Sequence, residues 1–327
     1  MNKAFGDDCK SSWIEFVHTG IQHSQSKLGI YCHQFAYIDQ LQLVDISSLK
    51  GKDDNLLVDQ MMHTAFSSGL GGAAWTALTR ADMAIYIQAL QRRGAGPRVM
   101  DLKRLNVVLR FLKRQKIGIR YGKVEAPYRL SGYTDAAFKA QEDESSGLAI
   151  RGLAVVLTTQ SEKIPTSPSG NVNLVEYLVR RIRRVVRSTF AAELNSLLDS
   201  IESVLLIQLA MHQIFCGTDQ SAEELMHALE SGGLYPPIEF VIDAQSVYDA
   251  LNVLDVCTPQ ESSLKLHLIA IRNRMERGVI NAVWWCDTRD MLADALTKGG
   301  IDRAQIVKCM NTGRLEVIHT PKRCTRR

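Results

Sequence analysis

Apolar and polar positions divide the chain into an uneven first third and a more regular remainder. Residues 1 to about 60 mix short apolar runs, IEFVHTGI and LGIYCHQFAYI, with polar linkers, a pattern that suggests a small hairpin leading into a short helix. From Leu78 the periodicity sharpens. Thr79 and Asp82 have capping-box spacing, Met83, Ile87 and Leu90 follow at helical intervals, and Gly94, Gly96 and Pro97 oppose continuation. A second helix begins near Val99, with Leu102, Leu105, Leu109 and Leu112 on one face and Lys103, Arg104, Arg110, Lys113, Arg114 and Lys116 distributed around it. Two readings of that basic helix stay open: an ordinary solvated face, or contact with a phosphate backbone.

Beyond IGIRYGK the period changes. YRLSGYTDAAF reads as a strand interrupted at Gly132 that delivers Asp135 at its end, and GLAIRGLAVVLTTQ as one or two further strands. SEKIPTSPSGN has the composition of a loop. The segment LVEYLVRRIRRVVRS, with Arg180, Arg181, Arg183, Arg184 and Arg187 interleaved with Ile182, Val185 and Val186, fits either a strand entering a helix or a helix throughout. Ser188 or Thr189 then caps a long helix whose apolar stripe runs through Leu194, Leu198, Ile201, Leu205 and Leu209, with Glu193 in its first turns. A polar, helix-compatible stretch from Asp219 to Gly233 follows. A short buried strand, Ile238 to Ile242, ends at Asp243, and helices are expected from about Gln245 and over SSLKLHLIAIRNRMERG. VINAVWWCDTRD is a last strand ending in acidic residues, before the short helical MLADALTKGG, which contains Asp294.

Composition narrows the classes without choosing among them. At 327 residues and 46% hydrophobic, the chain can bury a sizeable core, and its net charge of +4 allows a polyanionic partner without requiring one. Seven widely separated cysteines with no CxxC pair suggest neither a zinc knuckle nor a disulfide framework, so a reducing intracellular setting is the simpler reading. The opening MNKAFGDDCKSSW carries no apolar h-region and no run of 18 apolar residues occurs elsewhere, so no membrane partner is expected.

The acids carry the chemistry. Asp135, Glu193, Asp243 and Asp294 are separated by 58, 50 and 51 residues, and each falls at a strand end or early in a helix, where one central sheet would bring them together. Each also has a plain structural use, as a strand terminator, a rim carboxylate or a helix cap. Clustered carboxylates raise one another's pKa unless cations neutralise them, and Mg²⁺, with its preference for oxygen ligands, suits such a group. Two ions about 3.5–4 Å apart orient an attacking water and stabilise a leaving oxygen.

At this point the chain resembles the C-terminal part of a copia-type LTR retrotransposon polyprotein, the end of the reverse transcriptase followed by ribonuclease H. LTRADMAIYIQAL resembles the segment where Arg-Pro-Asp-Ile/Met opens a helix, with Ala81 in place of proline, and LKRLNVVLRFLKRQKIGIRYG resembles the next basic helix and turn. LSGYTDAAF matches the segment with the first ribonuclease H acid, RSTFAAELNSL the Ser-Thr-x-Ala-Glu block, and VIDAQSVYDAL the Asp-Asn-x-Ser block with Ala244 in place of Asn. DTRDMLADALTKG is close to the terminal Asp-x-Leu-Ala-Asp-x-Leu-Thr-Lys signature and selects Asp294 over Asp287 or Asp290. The resemblance covers roughly residues 25 to 300, more weakly before Leu70.

The resemblance implies an α/β fold, a ribonuclease H-like mixed sheet flanked by helices, preceded by a smaller, mostly helical region like a reverse-transcriptase thumb or connection. Residues 1–122 would be that region, 123–302 the ribonuclease H-like domain and 303–327 a basic tail. FGDD at 5–8 lies too close to the following segments for a polymerase hairpin, so polymerase activity is not expected. The implied activity is endonucleolytic cleavage of the RNA strand of an RNA–DNA hybrid, with Asp135, Glu193, Asp243 and Asp294 holding two Mg²⁺ ions, Mn²⁺ being an alternative. Arg180, Arg181, Arg183, Arg184 and Arg187, with Lys103, Arg110 and Lys113, are candidates for backbone contact. The upstream part of a reverse transcriptase is a second candidate partner, and a cytoplasmic retroelement particle or the nucleus the expected location. Competing readings are an inactive nucleic-acid-binding remnant and a DDE-type integrase or transposase, the latter weakened by four nominated acids rather than three.

Overall fold

The structure, a computed structural model, describes residues 14–138, 149–159, 170–217, 219–253 and 262–325. The FGDD stretch and residues 161–169 of the expected SEKIPTSPSGN loop lie outside the described residues.

The hairpin read from the first apolar runs is an antiparallel meander, β1 (Glu15–His18), β2 (Ile21–Ser26) and β3 (Gly29–His33), which β4 (Ile119–Tyr121) extends. Between β3 and β4 come α1 (Phe35–Gln40), α2 (Gln60–Thr76), α3 (Ala84–Gln91) and α4 (Val99–Arg114). The α4 stripe behaves as its spacing requires: Leu102, Leu105, Leu109 and Leu112 are fully buried against Ile38, Met62 and Phe66. The Thr79–Asp82 capping box does not form. A short 3-10 turn over Ala81–Met83 precedes α3, and Asp82 instead takes the buried guanidinium of Arg80 through two bonds of 2.7 and 2.8 Å, while Thr79 donates to Gln34 at 2.9 Å. A desolvated, two-pronged charge pair outcompetes a backbone N–H for the carboxylate.

A seven-stranded mixed sheet forms the second part, with β5 (Tyr128–Ala137), β6 (Ile150–Thr159), β7 (Gly170–Arg181), β8 (Ile238–Ile242), β9 (Ala282–Trp285), β10 (Arg314–Leu315) and β11 (Lys322–Cys324). Their order is β10-β7-β6-β5-β8-β9-β11. β5, β6 and β7 form an antiparallel meander, β8 runs parallel to β5, and β9 runs parallel to β8. Strand β5 continues through Gly132 without a break. The arginine-rich segment resolves as strand: β7 ends at Arg181, and Arg183, Arg184 and Arg187 lie in the connection to α5 (Thr189–Cys216).

Helices cover both faces. On one, α5, α7 (Gln245–Asn252) and α8 (Ser262–Glu276) pack onto Leu130, Leu153, Val155 and Phe240, while α6 (Ala222–Ser231) links α5 to β8. On the other, Ala81, Ala84, Ile117 and Ile119 from the N-terminal part join α9 (Asp294–Thr297) and α10 (Ala304–Thr312) over Tyr133, Val156 and Trp284. This is the mixed sheet flanked by helices that the sequence leads one to expect. Among the described residues α5 alone has the length and apolarity to cross a bilayer, yet its Leu194, Leu197, Ile201 and Val204 are buried against the sheet.

Contacts cross both of the expected boundaries. Within residues 303–325, α10 buries Ile306, Cys309 and Met310, and β10 and β11 pair along opposite edges of the sheet. Their apolar spacing was hidden by the surrounding basic residues. The join at 122/123 is likewise bridged. Gly122 and Asn173 exchange two hydrogen bonds (2.8 and 3.1 Å), Tyr86 donates to the Gly299 carbonyl at 2.8 Å and Arg303 to the Asp82 carbonyl at 3.1 Å.

Candidate metal centre

The site assembles where β5, β8 and α5 meet. Asp135 lies near the end of β5, opposite Gly152 on β6, and Asp243 directly follows β8, whose parallel pairing with β5 brings the two strand ends together. Ser188 starts α5 by accepting from the Ala191 N–H at 3.1 Å. A polar seam then seats the helix. The Thr134 hydroxyl bonds Ser196 at 2.8 Å and Ser200 at 2.9 Å, and Ser196 donates to the Asp135 carbonyl at 3.0 Å. Glu193, one turn before Ser196, therefore reaches the end of β5 and accepts from the Ala136 N–H at 3.1 Å. Thr134 and Ser196 were not singled out from sequence, although a Ser at each of two positions four apart inside an apolar helix is a visible signal.

Asp135, Glu193 and Asp243 each offer a carboxylate oxygen, and the three atoms lie within 4.8 Å of one another. Asp135 is 1% and Glu193 8% exposed, while Asp243 is half-buried. Asp243 is fixed from β9 and beyond, its carbonyl accepting from Trp285 Nε1 at 2.9 Å and its carboxylate from the Thr288 hydroxyl at 3.0 Å.

Asp294 stands beside this group rather than within it. It opens α9 and pairs with Lys298, whose Nζ is 2.7 Å from Asp294 Oδ1 and 3.6 Å from Asp135 Oδ1. The Thr297 hydroxyl donates to Asp135 Oδ2. The helix comes this close because position 152 lacks a side chain: a Cβ there would meet Leu296 Cβ and Thr297 Cγ2 at 2.8 Å. The neighbouring acids have other work. Asp290 accepts from the backbone N–H groups of Ile318 and His319, and Asp287 from Arg289.

Burial and repulsion from neighbouring acids hold Glu193, Asp243 and Asp294 toward their neutral forms. Burial first, then the charges of Asp135 and Asp243, push Glu193 up to about 10. Burial and Asp135 likewise raise Asp243, and they push Asp294 up to about 7 against the pull of Lys298. Burial works to lower Lys298, but Asp135 and Asp294 outweigh it and keep the ammonium charged. The donor set fits a hard divalent cation: three converging carboxylates that cannot all ionise without added positive charge, and no histidine or cysteine in the group.

The basic candidates fall in two places. Arg180, Arg181, Arg183 and Arg187 are exposed around the end of β7, and Arg184 donates to Asn195 at 3.1 Å on the same early turns of α5 as Glu193. Arg151, not foreseen, lies opposite Arg180 in the β6–β7 register and 3.7 Å from Asp199. Arg110, Lys103 and Lys113 belong to α4 in the separate N-terminal core, where Lys103 pairs with Asp54 at 2.6 Å and Lys113 donates to the Asp39 carbonyl at 2.8 Å. Those two lysines are engaged within their own unit.

Searches against protein-family models and curated proteins found no match. Two solved structures align with the chain. One is the crystal structure of LC11-RNase H1 in complex with an RNA/DNA hybrid, at 18% identity over 54% of this chain and 98% of that one, with a TM-score of 0.31. The other is LC11-RNase H1 isolated from compost by a metagenomic approach, at 19% identity over 54% of this chain and 97% of that one, with a TM-score of 0.30.

Proposed function

We propose that the protein is a ribonuclease H that hydrolyses the RNA strand of RNA–DNA hybrids, derived from a copia-type retrotransposon polyprotein. The observation that carries this reading is the convergence of Asp135, Glu193 and Asp243 to within 4.8 Å at the adjoining ends of β5, β8 and α5. Asp135, Glu193 and Asp243 would hold one Mg²⁺, and Asp294 with Asp135 a second, Mn²⁺ serving as a substitute. When bound, the ions supply the positive charge that stabilises a phosphodiester undergoing hydrolysis.

The chain's own groups do the rest. Glu193 would accept from a 2′-hydroxyl, the group that separates RNA from DNA. The Ser188 cap, the Thr134–Ser196–Ser200 seam and the Thr288 and Thr297 hydroxyls fix the carboxylates before substrate arrives. Arg180, Arg181, Arg183, Arg184 and Arg187 would contact phosphates flanking the cut. The N-terminal part would act as a support for the sheet and as the docking face for upstream reverse transcriptase, in a cytoplasmic particle or the nucleus.

The test is duplex selectivity. Labelled RNA–DNA hybrid, double-stranded RNA and double-stranded DNA of one sequence are incubated with the protein in Mg²⁺. Cleavage confined to the RNA strand of the hybrid is expected. Binding of hybrid without cleavage would favour the inactive-remnant reading, and cleavage of DNA duplex the integrase-like one.

A further inference from the structure

The Lys298 ammonium stands against two carboxylates that would bind a cation. It lies 2.7 Å from Asp294 Oδ1 and 3.6 Å from Asp135 Oδ1, and those two side chains are only 5% and 1% exposed. An ordinary i,i+4 ion pair on a helix surface contributes little. This one closes a four-residue helix over a buried aspartate and reaches a second acid, Asp135, from another element. Two divalent ions in such a centre sit about 3.5–4 Å apart, so an ammonium this close to Asp135 overlaps the space a second ion would take. Like charges at that range repel strongly at a half-buried site. Lysine also has a way out: its four-carbon stem is flexible and the side chain is 34% exposed.

We propose that Lys298 is a tethered cation that holds Asp135 and Asp294 together until a second divalent ion displaces it. The inference rests on the metal-centre reading above and adds an order of loading to it. The first ion is held by Asp135, Glu193 and Asp243 without disturbing Lys298. The second requires the ammonium to swing out, and an incoming phosphate is the natural counter-charge for it there. Lys298 is thus a positioning residue that ties occupancy of the second position to the presence of an anion.

The test uses Mn²⁺ as the probe, titrated calorimetrically and by electron paramagnetic resonance into the full chain without nucleic acid. Lys298→Met removes the charge, and Lys298→Arg keeps it. The wild type and Lys298→Arg are expected to bind one Mn²⁺ tightly. Lys298→Met should bind a second ion at least about tenfold more tightly than the wild type does. In EDTA, Lys298→Met should also melt below the wild type and recover with Mg²⁺. Binding of Mn²⁺ that is the same in all three proteins, or two equal sites in the wild type, would overturn the role of Lys298 and leave the metal centre standing. No Mn²⁺ binding to any of them would overturn both.

Discussion

Replacing Glu193 with a side chain that does not titrate gives a direct reading of the electrostatic strain in the centre. In the folded chain Glu193 is held up to about 10, chiefly by burial and then by Asp135 and Asp243, against an ordinary value of 4.5. Between those two pH values the folded state binds a proton that the unfolded state has released, so stability is full below pH 4.5 and falls as pH rises toward 10. Each pH unit in that window costs up to ~1.4 kcal/mol for one group, or about 3 kcal/mol between pH 5.5 and 8. Asp243 and Asp294 are shifted in the same direction, while His23, His33 and His267, lowered mainly by burial, act in the opposite sense near neutrality. The comparison is therefore wild type against Glu193→Gln, which shares those other groups. Urea unfolding in EDTA should show the wild type losing about 3 kcal/mol relative to the variant over this range. Mg²⁺ at a hundredfold above its pH 8 Kd should restore about 2.7 kcal/mol to the wild type at pH 8, and the same concentration less at pH 6, because binding drives deprotonation. Parallel pH profiles for the two proteins in EDTA would refute the electrostatic account of the site.

Two further substitutions probe how the centre is supported. Gly152→Ala should cost about 1–3 kcal/mol in urea unfolding, because its Cβ meets α9 at 2.8 Å, and it should separate Thr297 and Lys298 from Asp135; unchanged stability would show that α9 is not held at this distance. Arg80→Met leaves Asp82 buried and unpaired at 1% exposure, so a loss of about 3–5 kcal/mol is expected, with most of it recovered in Arg80→Met/Asp82→Leu. A small loss in the single variant would mean that the pair is not desolvated as described.

Much of the fold was legible because periodicity dominates where packing is simple. The α4 stripe, the limits of β8 and a cap of α5 at Ser188 or Thr189 follow from local pattern, the structure choosing Ser188, and Asp135, Glu193 and Asp243 meet because their strand and helix ends do. Helix α2 was missed. Its QMMHTAFSSGLGGAAWT contains Gly69 and Gly72, residues that oppose a helix in isolation. In the structure they are points of close packing, where an added Cβ would lie 3.2 Å from Leu105 and 2.8 Å from Leu41. The strand nature of β7 was undecided because Arg180 and Arg181 break its alternation, and only its pairing with β6 settles it. The role of Lys298 was invisible for a related reason. An Asp and a Lys four apart read as a surface pair, and nothing local reports that Asp135, 163 residues away, shares the same ammonium.

The central claim is that Asp135, Glu193 and Asp243 hold divalent ions for hydrolysis of RNA in a hybrid. It is tested most directly by single-turnover cleavage of an end-labelled RNA–DNA hybrid, in Mg²⁺ and in EDTA, by the wild type, Asp135→Asn and Asp243→Asn. The account predicts cleavage by the wild type in Mg²⁺ only, and a loss of at least about a hundredfold in each variant with hybrid binding retained. Cleavage that persists in EDTA, or in either variant at the wild-type rate, would contradict it.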